Sequence, residues 1–328
     1  MVWKILFVYL SVIAISNKGS SQGLKFVTPI GGTYLKDYFI AHYVDRSVIN
    51  KNAKDFNNGN KTFKFHEGTD FAILSFRQLD SLVPVFAAAD GIIYSTWDSL
   101  PDKSVHGINK RNKLWNDSVL GNQIIIQHND TLYTLYGNLK RNSIKVKSGD
   151  TVKSGQIIAY VGCSGFVTYP QLHFEVRNKY NKIDPFNADT SQSKCLWKNQ
   201  LSYDTITRIF ESGFVNYVPR KMDSLVKRIC AKTDFDPNDS IINHWILISG
   251  LHKNDILRTD WYTDEQVLWH SYKTVIKYDI WDDYFWSWIS NPVKRGKISN
   301  GWICVVSVNN KLIKKDYFNL INKKRPKR

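Results

Sequence analysis

From Val83 onward the chain breaks into short apolar runs separated by turn-forming residues, with hardly a helical period among them. Val83-Pro84-Val85-Phe86-Ala87-Ala88-Ala89 leads into Asp90-Gly91, a tight-turn dipeptide, and Ile92-Ile93-Tyr94 resumes the apolar character. Residues 123–127 and 132–136 read as strands around the turn His128-Asn129-Asp130. Residues 144–147 alternate apolar and basic before Ser148-Gly149-Asp150. Residues 155–162 form a further run into a bend at 162–165, and residues 172–177 close the set. Short strands at regular spacing predict an antiparallel sandwich or barrel. Residues 98–117, polar and basic, read as a surface loop between strands.

Beyond Asp184-Pro185-Phe186 the pattern changes. Residues 202–213 and 219–230 are mixed in character and are expected to be short helices or a linker. Strands return at 245–248, 256–262, 267–278 and 302–308, and Asn309-Asn310 predicts a two-residue hairpin into Lys311-Leu312-Ile313. Seven of the eleven tryptophans lie beyond position 198. Such density suits either a sugar-stacking face or a small sandwich core filled with aromatics. Alternation points several of them inward and favours the core.

A hydrophobic content of 43% and an aromatic content of 14% exclude a disordered chain. Lys4, an apolar run over residues 5–16 and a small, polar stretch to residue 22 predict an export signal. The run is short for a membrane span, which takes roughly 17–25 residues, and no later segment approaches that length. The formal net charge is +16, but the basic residues are dispersed and form no RNA-binding signature, so nucleic acid is not an expected partner. After export, an anionic cell envelope is the expected attraction. The tail from Lys323 to Arg328 reads as a solvated terminus. Cys163, Cys195, Cys230 and Cys304 permit two disulfides in three connectivities, or buried thiols, as for Cys304 within its apolar strand.

The chemistry concentrates at two motifs. His66-Glu67-Gly68-Thr69-Asp70 offers an imidazole and a carboxylate four positions apart, and Gln171-Leu172-His173-Phe174-Glu175 offers another imidazole on a strand. Two nitrogens and one oxygen are a common protein share of a zinc site with an open fourth position, which points to metal-assisted hydrolysis.

Residues 61–187 resemble the lysostaphin/LytM-type zinc metallopeptidases, most of which cut peptide cross-links in bacterial peptidoglycan. The blocks that carry the resemblance are His66-x-x-x-Asp70, Ala88-Ala89-Asp90-Gly91, and Gly121-Asn122-Gln123-Ile124-Ile125-Ile126-Gln127-His128. They continue with Thr134-Leu135-Tyr136-Gly137-Asn138-Leu139, Val146-x-x-Gly149-Asp150 and Gly155-Gln156, and finish with Gly162-x-Ser164-Gly165 and Leu172-His173-Phe174-Glu175. The resemblance implies an all-β fold, with an open antiparallel sheet bearing a groove, followed here by a small C-terminal β-sandwich. It places the zinc ligands on His66, Asp70 and His173.

The chain departs from the family at Asn138 and Gln171, where the resemblance implies two catalytic, non-ligand histidines. Asn and Gln donate and accept hydrogen bonds but offer no usable proton at neutral pH. A positioned acid–base group typically contributes ~10²–10⁴-fold, so a slow enzyme or none is expected. Glu175, one strand period from His173, reads as a partner for an imidazole. Glu67 adjoins a ligand and is expected to point away. His106 reads as a surface residue, and His128 holds a non-ligand position.

The expected organisation is a signal (1–22), a lead-in (23–60), a peptidase domain (61–190), a linker with short helices (191–238), a β-sandwich (239–322) and a basic tail (323–328). Three functions follow: a Zn2+-binding, catalytically impaired protein that binds peptidoglycan or wall peptides; an active zinc endopeptidase of modest rate; or a non-catalytic envelope scaffold or activator of a partner wall hydrolase. Each implies a secreted, periplasmic or envelope location.

Overall fold

The computed structural model describes residues 24–47, 52–103, 119–178, 181–186, 195–217, 232–281, 283–290 and 301–321. Among them the regular secondary structure is strand, apart from one 3-10 turn at Phe76–Leu79, and there is no α-helix. The expected signal, His106, Cys230, the stretch 219–230 and the basic tail lie outside the described residues. Among the described residues no helix is long and apolar enough to cross a membrane.

The first half contains β1 (Tyr38–His42), β2 (Thr69–Ile73), β3 (Pro84–Phe86), β4 (Gly91–Trp97) and β5 (Asn122–Gln127). It continues with β6 (Leu132–Leu139), β7 (Thr151–Val152), β8 (Ile157–Tyr160), β9 (Gln171–Asn178) and β10 (Asn181–Ile183). The main sheet runs β1-β2-β9-β6-β5-β4-β7, with β10 beside β9, and every pairing is antiparallel. β3 and β8 form a separate antiparallel pair. Asp90-Gly91 therefore carries the chain from one sheet to another, and the hairpin that the dipeptide suggests does not form. β3 and β4 find their partners elsewhere in the chain, and those long-range ladders override the local turn signal.

Successive strand residues face opposite sides of a sheet, and that period sorts core from groove. On β2, Phe71 and Ile73 enter the main core, while Asp70 and Ala72 face the other way. On β9, Leu172, Phe174 and Val176 enter the same core, leaving Gln171, His173 and Glu175 opposite. Phe174 is fully buried, and truncating such a ring costs about 3–5 kcal/mol. The lead-in joins this core through Phe26, Ile30, Tyr38, Ile40 and Tyr43, and Trp197 returns to it from beyond the sheet.

One irregularity bears on the site. Ile40 pairs with Phe71, yet His42, not Ala41, pairs with Asp70. The extra residue is a β-bulge, which re-aims the side chain that follows it.

The second half contains β11 (Arg208–Val215), β12 (Asp234–Phe235), β13 (Ile241–Ser249), β14 (Ile256–Thr263), β15 (Leu268–Val275), β16 (Asp283–Ser290), β17 (Gly301–Val308) and β18 (Lys311–Leu320). A sheet ordered β11-β13-β16 packs on one ordered β12-β18-β17-β14-β15. Phe214, Ile242 and Ile289 meet Trp261, Trp302 and Phe318 between them. Trp261 and Trp302 are buried in the sandwich core and Trp245 is buried where the two halves meet, although Trp288 is 44% exposed. Asn309 and Asn310 take φ of +50° and +67° and turn β17 into β18, as a two-residue hairpin requires.

Residues 208–215 form a strand, where short helices were one expectation. Ile209, Phe210, Phe214 and Val215 favour extended backbone, and the ladder to β13 fixes it. Phe210 stacks on Phe39 with ring centres 4.1 Å apart. Around that contact, Val215, Trp245 and Leu247 pack against Ala41, Ala72, Val167 and Tyr169, joining the two halves through one apolar cluster. Lys61 is buried beside this junction, donating to the Asp204 carbonyl at 2.9 Å and lying 5.1 Å from the Trp281 ring centre.

Cys163, Cys195 and Cys304 are not bridged to one another. Every two-disulfide connectivity needs one such pair, so none of the three is formed. Cys304 is fully buried, and burial, then Asp316 and Asp260, push its thiol well above the ordinary range.

Candidate metal centre

His66, Asp70 and His173 converge on the groove face, with one ligand atom from each lying within 4.8 Å of the others. The antiparallel register sets Asp70 directly opposite His173, and the turn before β2 brings His66 onto the same carboxylate. Gly68 permits this approach: a Cβ there would stand 2.7 Å from His173 Cε1 and Nε2 and from the Phe174 carbonyl oxygen. Phe65, just before His66, holds φ at +64°. Its N–H donates to Asp45 Oδ2 at 2.9 Å, while the Asp45 N–H donates to the His66 carbonyl at 2.8 Å. Burial alone would raise the Asp45 carboxyl, but the Ser47, Phe65 and Lys54 N–H groups outweigh it and hold it below the ordinary range.

Hydrogen-bond partners assign the tautomers. His66 Nδ1 lies 2.7 Å from the Tyr43 carbonyl, which can only accept, so that nitrogen carries the hydrogen. His173 Nε2 lies 2.9 Å from Glu175 Oε1 and donates to it. His66 Nε2 and His173 Nδ1 are then left facing each other at 3.3 Å, with Asp70 oxygens 3.1 and 2.7 Å away. Two lone pairs at that separation repel unless a proton or a cation lies among them. Two neutral imidazoles and a carboxylate, each ring steadied at its far nitrogen, fit zinc.

Without a cation a proton takes that place. Burial would lower the His173 imidazole, but Asp70 and Glu175 outweigh it and push it up to about 10. Asp70 answers in the opposite sense: burial would raise it, and His66, His173 and His42 bring it well below the carboxylate range. Glu175 is drawn down to about 2 by His173 and Arg177 despite its burial.

His66, Asp70 and His173 open into a cavity of about 320 Å³, lined also by Phe63, Phe65, Val119 and Phe166. Asn138 and Gln171 both line it, and both are largely buried. Asn138 sits at the end of β6 with φ at +56°, and its amide donates to the Ser164 carbonyl at 2.8 Å. Glu67 and Arg177 pair at 2.7 Å on the rim. His128 lies elsewhere, between the Asp90 carbonyl and Thr134 Oγ1, where burial lowers its imidazole against the pull of Asp90. Among the described residues that line the cavity, the only imidazoles are His66 and His173.

Sequence reasoning missed His42, whose Nδ1 lies 3.2 Å from Asp70 Oδ2, and the Tyr43 carbonyl behind His66. Plain alternation would set Ala41 opposite Asp70, so no motif points to His42.

An open antiparallel sheet thus carries two imidazoles and a carboxylate, converging, at a cleft. Residues 64–185 match the model of peptidase family M23, and the chain carries an M23 peptidase domain of the lysostaphin/LytM type. It is 36% identical over 135 residues to the peptidoglycan DD-endopeptidase ShyB of Vibrio cholerae, covering 41% of this chain and 26% of that protein. Against lysostaphin of Staphylococcus staphylolyticus it is 32% identical over 133 residues, covering 39% of this chain and 25% of the relative. Among solved structures, the catalytic domain of lysostaphin from Staphylococcus simulans aligns with 25% identity and a TM-score of 0.28, covering 44% of this chain and 86% of that one. The match thus spans about a quarter of the length of these two curated relatives.

Proposed function

We propose that this chain binds zinc through His66, Asp70 and His173 and holds peptides of bacterial peptidoglycan in the adjoining cleft, with hydrolysis slowed or abolished. One observation carries the reading: the donor set is complete, while Asn138 and Gln171 put amides into the cavity where the M23 resemblance implies imidazoles. Zinc bound there would supply a Lewis acid that polarises a peptide carbonyl and acidifies water.

The chain's own groups decide the rest. Phe63, Phe65 and Phe166 line the cleft with exposed rings and offer apolar contact. Asn138 and Gln171 can hold a substrate amide or carbonyl by hydrogen bonds, but neither can take a proton from a nucleophile or return one to a leaving amine. His42 does not replace them, because it bonds Asp70 and does not line the cavity. The relatives named as peptidoglycan endopeptidases support the choice of polymer, and the net charge of +16 suits an anionic wall outside the cytoplasm.

Purified protein, assayed for zinc content, co-sedimentation with peptidoglycan and release of soluble fragments, tests this reading. Stoichiometric zinc, co-sedimentation and little release are expected. Rapid release abolished by His66→Ala and by chelation would establish a working endopeptidase instead. Protein that takes up no zinc removes the metal from the account.

A further inference from the structure

We infer that His42 is a positioning residue for the metal site, holding the Asp70 carboxylate in the orientation from which it meets the cation. The inference rests on the zinc reading above. Asp70 is buried, and its two oxygens are differently engaged. Oδ1 lies 2.7 Å from His173 Nδ1, and Oδ2 lies 3.1 Å from His66 Nε2 and 3.2 Å from His42 Nδ1. His66 Nε2 and His173 Nδ1 present lone pairs to the cation once it binds, and they then donate nothing to Asp70. A carboxylate only accepts, so His42 Nδ1 is the donor, and its bond survives metal binding. It is therefore the contact that stops the carboxylate from turning away from the site.

His42 is itself held. Its ring meets Phe63 edge-on at 5.1 Å and stands 5.9 Å from the His66 ring, nearly perpendicular to both. The bulge at Ala41 delivers it there, since an unbroken strand would set a methyl group opposite Asp70. His42 lies outside the cavity lining and so acts through Asp70, without touching a peptide in the cleft.

The test is the affinity of the full chain for Zn2+, measured by chelator competition on wild type, His42→Leu, His42→Asn and His42→Gln. Losing a partner that orients a ligand typically weakens metal binding by ~10–100-fold, and His42→Leu is expected to fall in that range. Asn places its amide nitrogen close to the position of Nδ1 and should recover most of the loss. Gln reaches one methylene further and should not. A space-filling role would give the reverse order, with Leu and Gln above Asn. If Leu does not fold, the order of Asn and Gln decides alone. Zinc binding by His42→Leu equal to wild type overturns the inference while leaving the zinc reading intact. X-ray absorption of the zinc-loaded wild type showing three imidazoles also overturns it, by making His42 a ligand. Absence of zinc binding by wild type overturns the zinc reading itself, and this inference with it.

Discussion

In the C-terminal sandwich, His244 Nε2 meets Asp316 Oδ2 at 2.8 Å, under Phe214 and Trp261. On the peptidase sheet, His66, His173 and His42 all meet the single carboxylate of Asp70. Both clusters bury imidazole beside carboxylate, and their residue types are the same. In the sandwich one ring faces one carboxylate across the two sheets, and that ring lies against Phe214 and Trp261. At Asp70, by contrast, two rings give their far N–H groups to Tyr43 and Glu175 and turn their remaining nitrogens towards each other. That convergence of unshared lone pairs on an open cleft, more than the presence of histidine and aspartate, separates the candidate metal centre from a structural pair.

The contrast breaks most easily at the ligands. His66→Ala, Asp70→Ala or His173→Ala should weaken zinc binding by more than about a hundredfold, since even partners that only orient ligands are worth ~10–100-fold. His244→Ala should leave the affinity unchanged. Chelator competition on the four variants decides it, and an equal loss in all four would erase the distinction.

Restoring imidazoles sharpens it. Asn138→His combined with Gln171→His should raise peptide release from peptidoglycan by ~10²–10⁴-fold if proton transfer is the missing step. A double variant that binds zinc yet stays silent would place the defect elsewhere in the cleft.

Stability should divide the tryptophans of the sandwich. Trp261→Ala, which empties the core, should cost about 3–5 kcal/mol in denaturant unfolding. Trp288→Ala, at an exposed position, should stay within about 0.5 kcal/mol.

A loss smaller than that of Trp261→Ala is expected at the structural pair. His244→Ala leaves Asp316 without its partner and should cost about 1–3 kcal/mol at neutral pH. Burial alone would raise the Asp316 carboxyl, but the His244 hydrogen bond and charge bring it below the ordinary range. A lowered folded value means that this carboxylate's contribution is fully present above the unfolded value of about 3.9 and is lost as pH falls through the folded one. The difference in stability between wild type and His244→Ala should therefore narrow on acidification below about pH 4. A constant difference down to lower pH would remove Asp316 from the explanation.

Much of the fold was legible because strand patterns are local. The run at 123–127 is β5, the run at 132–136 opens β6, and Asn309-Asn310 turns where two left-handed residues were needed. β11 was harder to read, because Glu211, Ser212 and Gly213 interrupt its apolar residues and its extended form depends on β13 thirty residues on. At the site, the three donors that converge and the two amides that line the cavity could be picked out by motif. Of the groups that steady them, Glu175 could be read from its place beside His173, but the Tyr43 carbonyl could not, because a backbone carbonyl leaves no mark in a sequence.

The amino-acid sequence alone determined which donor atoms this chain can offer a cation and that amides stand at positions 138 and 171, since those follow from side-chain identity. Tertiary structure decided which nitrogen of each ring faces Asp70, how the sandwich seats on the sheet through Phe39 and Phe210, and that a third imidazole reaches the carboxylate. These outcomes depend on contacts such as His42 with Asp70 and His173 with Asp70, between residues 28 and 103 positions apart. Strand register sets those contacts, and a single bulge residue changes which side chain arrives.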